Sequence, residues 1–119
     1  LPVQDRLAAA QSFARAHNCI LVLKGHRTIT AAPDGRAWIN TSGNPGMAKG
    51  GSGDVLAGLI TSFLSQKQLE FGSPAALTAA AVYLHGSAGD KAARRFGEYG
   101  MTPEDLIAYI PEALKERER

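Results

Sequence analysis

The residues best suited to chemistry lie in one glycine-rich segment, residues 43–54, which ends in an aspartate. Five of its first eleven residues are glycine, and an amphipathic pattern follows directly. Glycine lets successive backbone N–H groups converge and lets a ligand approach without meeting a Cβ. The first N–H groups of a helix have no partner inside it, and the helix dipole favours negative charge there. The segment therefore predicts an anion site, suited to phosphate, formed by Gly50, Gly51, Ser52 and Gly53.

Two commoner glycine motifs do not fit this segment. A P-loop requires a glycine directly before its lysine, but Ala48 precedes Lys49. A dinucleotide-binding fingerprint that starts at Gly51 requires a third glycine at the position where Leu56 stands. The phosphate hypothesis therefore depends on the geometry of this segment alone.

Asp54 follows the last of these glycines, at the predicted start of a helix. A carboxylate there usually caps the helix, contributing about 0.5–2 kcal/mol. Beside amides arranged for an anion, however, it would compete with phosphate unless it had a chemical role. The natural role is to accept a proton from a hydroxyl that attacks a phosphoryl group, while the amides stabilise the charge that develops. We therefore expect Asp54 to be a catalytic base or a substrate anchor.

Three other polar residues have both a functional and an ordinary interpretation. Lys24, at a strand end, could contact a nucleotide or could simply be solvated. Lys49 could reach a phosphate as a point charge, or could have no contact on a mobile loop. Asn44 is a candidate for substrate binding, although asparagine side chains more often fix the turn of their own loop.

The polar residues further along the chain favour ordinary roles. His85 lies in an apolar helix beside Gly86 and Gly89, where a buried histidine with a satisfied hydrogen bond is commoner than a catalytic one. Asp90 and Lys91 have the pattern of surface charges. The spacing of His, Cys, Asp and Glu forms no metal cage, so any Mg²⁺ is expected to arrive with a nucleotide, held mostly by phosphate and water.

Periodicity and turn residues predict the elements that position these groups. A helix is predicted over residues 5–17, stopped by Asn18. Its apolar face contains Leu7, Ala10, Phe13, Ala14 and Ala16. A continuous apolar run at 19–23 predicts a strand buried on both faces, and turn residues at 33–36 join strands at 27–32 and 37–40 into a hairpin.

Three more helices follow a long loop at 41–53. The first runs from Asp54 to about Gln66, and its apolar face contains Leu56, Leu59, Ile60, Phe63 and Leu64. The second opens at Pro74 and extends to Phe96, buried on most sides. The last begins with the capped sequence at 102–105, and Pro111 is expected to interrupt or end it.

This order of helices and buried strands predicts an α/β layered fold. Three strands are too few to cover so many apolar helix faces, so further strands are expected from upstream sequence or from a partner chain. The chain also opens at Leu1, already within a helical pattern, which suggests a piece of a longer protein.

Composition narrows the class of protein. The chain has 119 residues and 13 basic against 11 acidic side chains, so neither nucleic acid nor a membrane surface is indicated as its main partner. One cysteine, Cys19, excludes an internal disulfide and favours a reducing cytoplasm. Cys19 itself is expected to be a small buried hydrophobe rather than a nucleophile. The sequence contains neither an apolar run of membrane-spanning length nor a signal-peptide pattern.

The segment at 40–56 closely resembles the signature of the ADP/ATP-dependent NAD(P)H-hydrate dehydratases, a family of the ribokinase-like superfamily. The resemblance extends to residues 23–28, 83–90 and 105–107, and so covers essentially the whole chain. It covers only the C-terminal half of the family's domain. It implies a ribokinase-like layered fold, with a mostly parallel sheet flanked by helices, of which residues 1–119 would be the C-terminal portion.

The resemblance also implies an activity. Members of this family phosphorylate the ring hydroxyl of hydrated NADH or NADPH from ADP or ATP, and then eliminate phosphate to restore the cofactor. The implied nucleotide contacts are Lys24, Gly25, His26, Arg27, Thr28 and Gly53, and Asp54 would meet the hydrated substrate. The implied partners are the missing N-terminal half, an epimerase domain or partner, and further copies in a homo-oligomer.

Two alternatives stay open at this point. A small-molecule kinase of the same superfamily, acting on a vitamin precursor or a sugar, would share the phosphate chemistry and differ in the acceptor pocket. A non-catalytic nucleotide-binding module is the alternative from another class, because the isolated piece lacks much of the substrate pocket.

Overall fold

The computed structural model describes residues 2–66 and 73–117. The chain order is α1 (Val3–His17), β1 (Leu21–Leu23), β2 (Ile29–Ala31), β3 (Ala37–Ile39), a 3₁₀ turn (Pro45–Met47), α2 (Ser52–Ser65), α3 (Pro74–Phe96) and α4 (Pro103–Lys115). Of the helices in these ranges, none is both long and apolar enough to cross a membrane.

The three strands form one antiparallel sheet in the order β1-β2-β3. The hairpin between β2 and β3 turns at Gly35, whose φ of +98° favours glycine, and the Asp34 carboxylate accepts the Arg36 N–H at 3.0 Å. The α/β class and the predicted hairpin are confirmed. The mostly parallel sheet that the resemblance implies is not represented by these three strands.

Helix α1 lies against this sheet through small side chains. Ala10 and Ala14 are fully buried against Ile29 and Ala31, and Asn18 ends the helix in the left-handed conformation. The predicted end of the helix at Asn18 is confirmed. The predicted apolar face, however, included residues that the sheet does not bury. Phe13 is 48% exposed and Ala16 is also exposed, because the short sheet covers only one narrow stripe of the helix.

The predicted strand at 19–23 is shorter and less buried than expected. The Cys19 N–H donates to the Ala14 carbonyl at 3.0 Å, which makes this residue part of the closing turn of α1. Pairing begins only at Leu21, and the side chains of β1 are half-buried rather than covered on both faces. Cys19 is likewise half-buried, not fully buried.

The other layer consists of α2, α3 and α4. Its core contains Phe63, Ala81, Leu84, Ala88, Leu106 and Ala113. The bounds of α3 match the predicted 74–96, because Ser73 caps its start by accepting the Ala76 N–H and Gly97 ends it. Leu64, predicted to face inwards from α2, is 46% exposed.

Helix α4 begins as predicted but does not stop at its proline. Thr102 and Asp105 form a reciprocal capping box at its start. Pro111 lies inside the helix, which continues to Lys115. The residue one turn before it, Ile107, is 51% exposed, so the turn that lacks a proline N–H is on the solvent-facing side of the helix. The prediction that Pro111 interrupts the helix was therefore wrong.

Candidate functional site

A cavity of about 740 Å³ lies between the segment after β1 and the glycine-rich segment. Its wall includes Lys24, Gly25, His26, Arg27, Thr28, Asn44, Lys49, Ser52, Gly53 and His85. Two segments that are distant in sequence thus share one space. Gly50, Gly51 and Asp54 belong to the same predicted site but do not line the wall.

The N-terminus of α2 borders this cavity. The helix begins at Ser52 rather than at Asp54, and Gly51 precedes it with a φ of +98°. The Ser52 N–H donates to the Lys49 carbonyl at 3.1 Å, so this amide of the predicted anion hole is already bonded. Across residues 2–66 and 73–117, the N–H groups of Gly50, Gly51, Gly53 and Asp54 have no hydrogen-bond acceptor.

Asp54 lies in the first turn of α2, and its side chain is exposed to solvent. It directly follows Gly53, which does line the cavity. The side chain is therefore on the surface of the protein, and an incoming substrate can reach its carboxylate. This position is compatible with a proton acceptor as well as with a simple favourable interaction with the helix dipole.

The Lys24 ammonium approaches the same helix end. A Cβ built on Gly53 would lie 2.8 Å from Lys24 Nζ, so a side chain at this position would displace the lysine ammonium from the helix end. Within the described ranges, the ion pairs are Arg36 with Asp34 and Lys91 with Glu116, so no carboxylate there neutralises Lys24. A lysine beside the positive end of a helix dipole is an unfavourable pair that a bound anion would relieve.

His85 lies behind this cluster and is 8% exposed. Its Nε2–H donates to the Ser52 carbonyl at 3.0 Å, which fixes the tautomer because a carbonyl can only accept. Burial lowers the pKa of His85, the hydrogen bond to Ser52 opposes that change, and the positive charge of Lys24 lowers the pKa further. The interpretation of His85 as a buried residue with a satisfied hydrogen bond is confirmed.

Helix α1 contacts the segment after β1, residues 24–28, through the side chain of Arg6. Arg6 donates to the carbonyls of His26 at 2.9 Å and Leu23 at 3.4 Å, with a longer contact of 3.5 Å to Lys24. Arg27 has a φ of +61°, which is unusual for a residue other than glycine. The loop that carries the predicted nucleotide contacts is therefore shaped by Arg6.

The first part of the glycine-rich segment is bound to α3. The Asp90 carboxylate accepts the Gly43 N–H at 3.0 Å and the Asn44 Nδ2–H at 2.9 Å. Asn44 Oδ1 in turn accepts the Gly46 N–H at 3.0 Å, which caps the 3₁₀ turn. The interpretation of Asn44 as a loop-fixing residue is confirmed, and the prediction of Asp90 as a surface charge was wrong.

Lys49 is also used by the protein. Its ammonium donates to the carbonyls of Glu98 at 2.9 Å, Tyr99 at 3.0 Å and Met101. All three ammonium protons thus have acceptors in the turn that follows α3. The Lys49 ammonium is therefore bound within the protein and has no proton left to donate to a phosphate.

Helix α3 provides the surface on which the segment lies. A Cβ on Gly86 would be 2.8 Å from the Ser42 carbonyl carbon and 2.9 Å from the Gly43 nitrogen. A Cβ on Gly89 would be 2.8 Å from Met47 Cγ. These two glycines are about one turn apart, so together they form a shallow groove that admits the backbone at Ser42 and Gly43 and the side chain of Met47.

The family model described as NAD(P)H-hydrate dehydratase matches residues 2–112. The chain belongs to this family. A bifunctional NAD(P)H-hydrate repair enzyme from Moorella thermoacetica is 49% identical over 115 residues, which are 97% of this chain and 21% of that protein. An ADP-dependent (S)-NAD(P)H-hydrate dehydratase from Neisseria meningitidis is 45% identical over 86 residues, covering 72% of this chain and 28% of that protein.

A solved dehydratase structure shows the same similarity in three dimensions. The ADP/ATP-dependent NAD(P)H-hydrate dehydratase from Bacillus subtilis, co-crystallised with ATP and Mg²⁺, superposes with a TM-score of 0.87 at 32% identity. The match covers 97% of this chain and 40% of that one. The chain therefore has the ribokinase-like α/β fold of the dehydratase family, and spans less than half the length of the relatives described above.

Two residues that hold the walls of the cavity in place, Arg6 and Asp90, were not predicted from the sequence. Arg6 stands in an Ala-rich helix 18 residues before Lys24, and nothing in its local pattern indicates a contact with a loop. Asp90 is followed by Lys91, and the pair has the appearance of a solvated surface. Lys91 is in fact only 10% exposed and pairs with Glu116. The available signal for a close contact was the pair of glycines before Asp90, with Gly86 one turn before it and Gly89 directly before it.

Proposed function

We propose that the full-length protein containing this chain dehydrates hydrated NADH or NADPH at the expense of ADP or ATP. The observation that carries the proposal is the approach of Lys24 Nζ to Gly53 at the N-terminus of α2, within one cavity. Two positive groups meet there, and the amides of Gly50, Gly51 and Gly53 have no protein acceptor within the described ranges. Terminal phosphates of a nucleotide would satisfy both the charge and the amides.

The nucleotide would occupy the cavity between its two walls. Lys24, Gly25, His26, Arg27 and Thr28 form one wall, and Gly53 belongs to the opposite one. A volume of about 740 Å³ is within the range of sites that bind molecules of nucleotide size. We therefore retain these six residues as the proposed nucleotide contacts. The proposed anion hole is reduced to Gly50, Gly51 and Gly53, since the Ser52 amide is bonded within the protein.

In this proposal Asp54 acts first as a base. Its carboxylate accepts the proton of the ring hydroxyl as the hydroxyl oxygen attacks the terminal phosphorus, and AMP or ADP leaves. The ring C–O bond then breaks, phosphate leaves with the electron pair, and a neighbouring ring carbon loses a proton to restore the double bond. Phosphate is a far better leaving group than hydroxide, which is the reason to consume a nucleotide. The unbonded amides would stabilise charge on the transferred group.

Magnesium fits this arrangement only as a companion of the nucleotide. Among the described residues, no three His, Cys, Asp or Glu side chains cluster closely enough to hold a metal ion. Mg²⁺ keeps several waters and commonly binds through substrate phosphates, where it neutralises charge. Lys24 would add a second positive charge at the same phosphates.

The direct test supplies the full-length protein with ADP and hydrated NADH. Recovery of the NADH absorbance together with stoichiometric AMP is the expected result. Accumulation of a phosphorylated product without recovery of NADH would instead favour a small-molecule kinase. Binding of ADP without turnover of hydrated NADH, under conditions where the protein is folded, would favour a non-catalytic nucleotide-binding module. Repeating the assay with ATP and with hydrated NADPH defines the donor and the substrate.

We further propose that residues 1–119 form the C-terminal half of a single ribokinase-like domain. The match to 40% of the Bacillus subtilis dehydratase is what a part of such a domain would give. The Moorella thermoacetica relative is named as bifunctional, and we propose that the second activity, on the same chain or on a partner, is an epimerase. A homo-oligomer and a cytoplasmic location remain predictions. Size-exclusion chromatography with light scattering of the full-length protein measures the first, and fluorescence microscopy of a tagged protein measures the second.

A further inference from the structure

We propose that Asp90 is a positioning residue. Its carboxylate accepts hydrogen bonds from the glycine-rich segment, including one from the Asn44 amide, and so holds the segment in the conformation that binds phosphate. The inference rests on the proposed nucleotide function and adds a residue on α3 that does not line the cavity. Asp90 acts through the segment, since its contacts are Gly43 and Asn44 rather than the cavity itself.

The hydrogen bonds form a short directional chain. Asp90 uses one carboxylate oxygen for the Gly43 N–H and the other for the Asn44 Nδ2–H. Asn44 then has only its oxygen left to accept the Gly46 N–H. The Asp90 carboxylate is symmetric, so the orientation is set by Asn44: a flip of its amide would place the nitrogen against the Gly46 N–H and the oxygen against the Asp90 carboxylate.

This chain reaches the cavity through the covalent segment. Asn44 and Lys49 line the cavity wall, and the Lys49 carbonyl accepts the Ser52 N–H at the start of α2. The Lys49 side chain holds the far end of the segment on the turn after α3. Asp90 thus fixes the near end of a segment whose far end places the unbonded glycine amides.

A polarity exchange tests this assignment. In Asp90→Asn the new amide nitrogen faces Asn44 Nδ2, so one bond is lost. In Asn44→Asp two carboxylates face each other, which is unfavourable. The double variant, which combines Asn44→Asp with Asp90→Asn, restores every bond. The amide introduced at position 90 would donate to the carboxylate introduced at position 44 and still accept the Gly43 N–H, while that carboxylate would accept the Gly46 N–H.

The experiment measures ADP affinity by calorimetry and the melting temperature of the full-length protein for wild type, both single variants and the double variant. We expect each single variant to bind ADP about tenfold more weakly, as expected for loss of a hydrogen bond to a charged group. The double variant should regain most of both losses. The double variant moves a negative charge from position 90 to position 44, which lines the cavity. ADP affinities are therefore compared at an ionic strength of about 1 M, which screens this charge. Asp5→Asn, the same change at an exposed site in α1, is the control and should leave ADP affinity unchanged.

Three outcomes would overturn the inference. The first is a double variant that melts like the single variants, and the second is one that regains its melting temperature without regaining ADP affinity. The third is wild-type affinity in Asp90→Asn. The proposed function fails separately, since a wild-type protein that binds ADP but leaves hydrated NADH unchanged refutes the dehydratase while the four ADP affinities still test Asp90.

Discussion

The two parts of the glycine-rich segment, residues 43–49 and residues 50–54, are adjacent in the chain but use their polar groups in opposite ways. In the first part, Asn44 caps a turn and contacts Asp90, and the Lys49 ammonium donates to three carbonyls. In the second part, Gly50 has no neighbour within 4 Å of a Cβ position, and the Asp54 side chain is exposed. The first part therefore acts as a frame and the second as an open edge.

The difference shows how a flexible sequence can present ordered amides. Glycine loses more conformational entropy on folding than other residues, so an open glycine edge is costly to order by itself. Charge-assisted hydrogen bonds from the neighbouring frame to α3 and to the turn after it offset this loss of entropy. The amides of the open edge are then free to bind a ligand without first being ordered by it.

Replacing the one carboxylate of the open edge should have the largest effect. Asp54→Asn keeps the size and polarity of the side chain in the first turn of α2, while removing the base. We expect kcat of the full-length enzyme to fall by about 10²–10⁴-fold, with ADP affinity largely kept. Steady-state kinetics together with calorimetry measure the two quantities. Unchanged turnover would remove Asp54 from the chemistry and leave it as a favourable negative charge in the first turn of α2.

A methyl group on the supporting helix should damage the frame. Gly86→Ala places a Cβ against the backbone of Ser42 and Gly43, so we expect the free energy of unfolding to fall by about 1–3 kcal/mol. Gly58→Ala, in the exposed middle of α2 with nothing within 4 Å, is the control and should stabilise the protein by about 0.5–1 kcal/mol. Urea denaturation of the full-length protein distinguishes them. Equal stabilities for the two variants would contradict the close contact with α3.

The two lysines of the site should separate binding from stability. Lys24→Gln removes the charge at the open edge, and we expect ADP binding to weaken about tenfold with little change in melting temperature. Lys49→Gln removes donors from the frame, so it should lower the melting temperature and weaken ADP binding less than Lys24→Gln does. Calorimetry and thermal melts check both variants. Unaltered ADP affinity in Lys24→Gln would exclude this residue from the nucleotide site.

The smallest expected effect concerns pH. Burial lowers the pKa of His85 below its ordinary value of 6.5, so the unfolded state binds more protons between pH 6.5 and the lower folded-state pKa. Stability contributed by neutral His85 is therefore present above pH 6.5 and is lost as pH falls towards the folded-state pKa. His85→Gln keeps a donor for the Ser52 carbonyl but does not titrate, so its denaturation midpoint should change less from about pH 8 to about pH 5. If the denaturation midpoints of wild type and His85→Gln change equally with pH, His85 is not the cause of the pH dependence of stability.

Local signals in the sequence were sufficient for several elements. The bounds of α3 follow from Ser73, Pro74 and Gly97, and the start of α4 follows from its capping box, because caps act within one helical turn. The hairpin at Gly35 is equally local. Pro111 was misjudged because the cost of a proline inside a helix depends on whether its lost partner is buried.

The site was predictable in its position and not in its internal contacts. Residues 43–54 were recognisable by composition, and the resemblance placed Lys24 beside them, which the shared cavity agrees with. Asp90 contacts Asn44 across 46 residues, and Arg6 contacts His26 across 20. A single sequence does not show which of such distant residues are in contact, so its local pattern predicts a surface charge at Asp90.

The sequence by itself predicted an anion-binding role for residues 43–54, and it determined where most helices begin and end and the family that the chain resembles. Only the tertiary structure decided which half of the glycine-rich segment is fixed and which is open. Hydrogen-bond polarity is the physical reason, because an amide or ammonium group is free for a ligand only when no protein acceptor reaches it. That acceptor is supplied by residues far along the chain, as Asp90 and the Glu98 carbonyl supply it here.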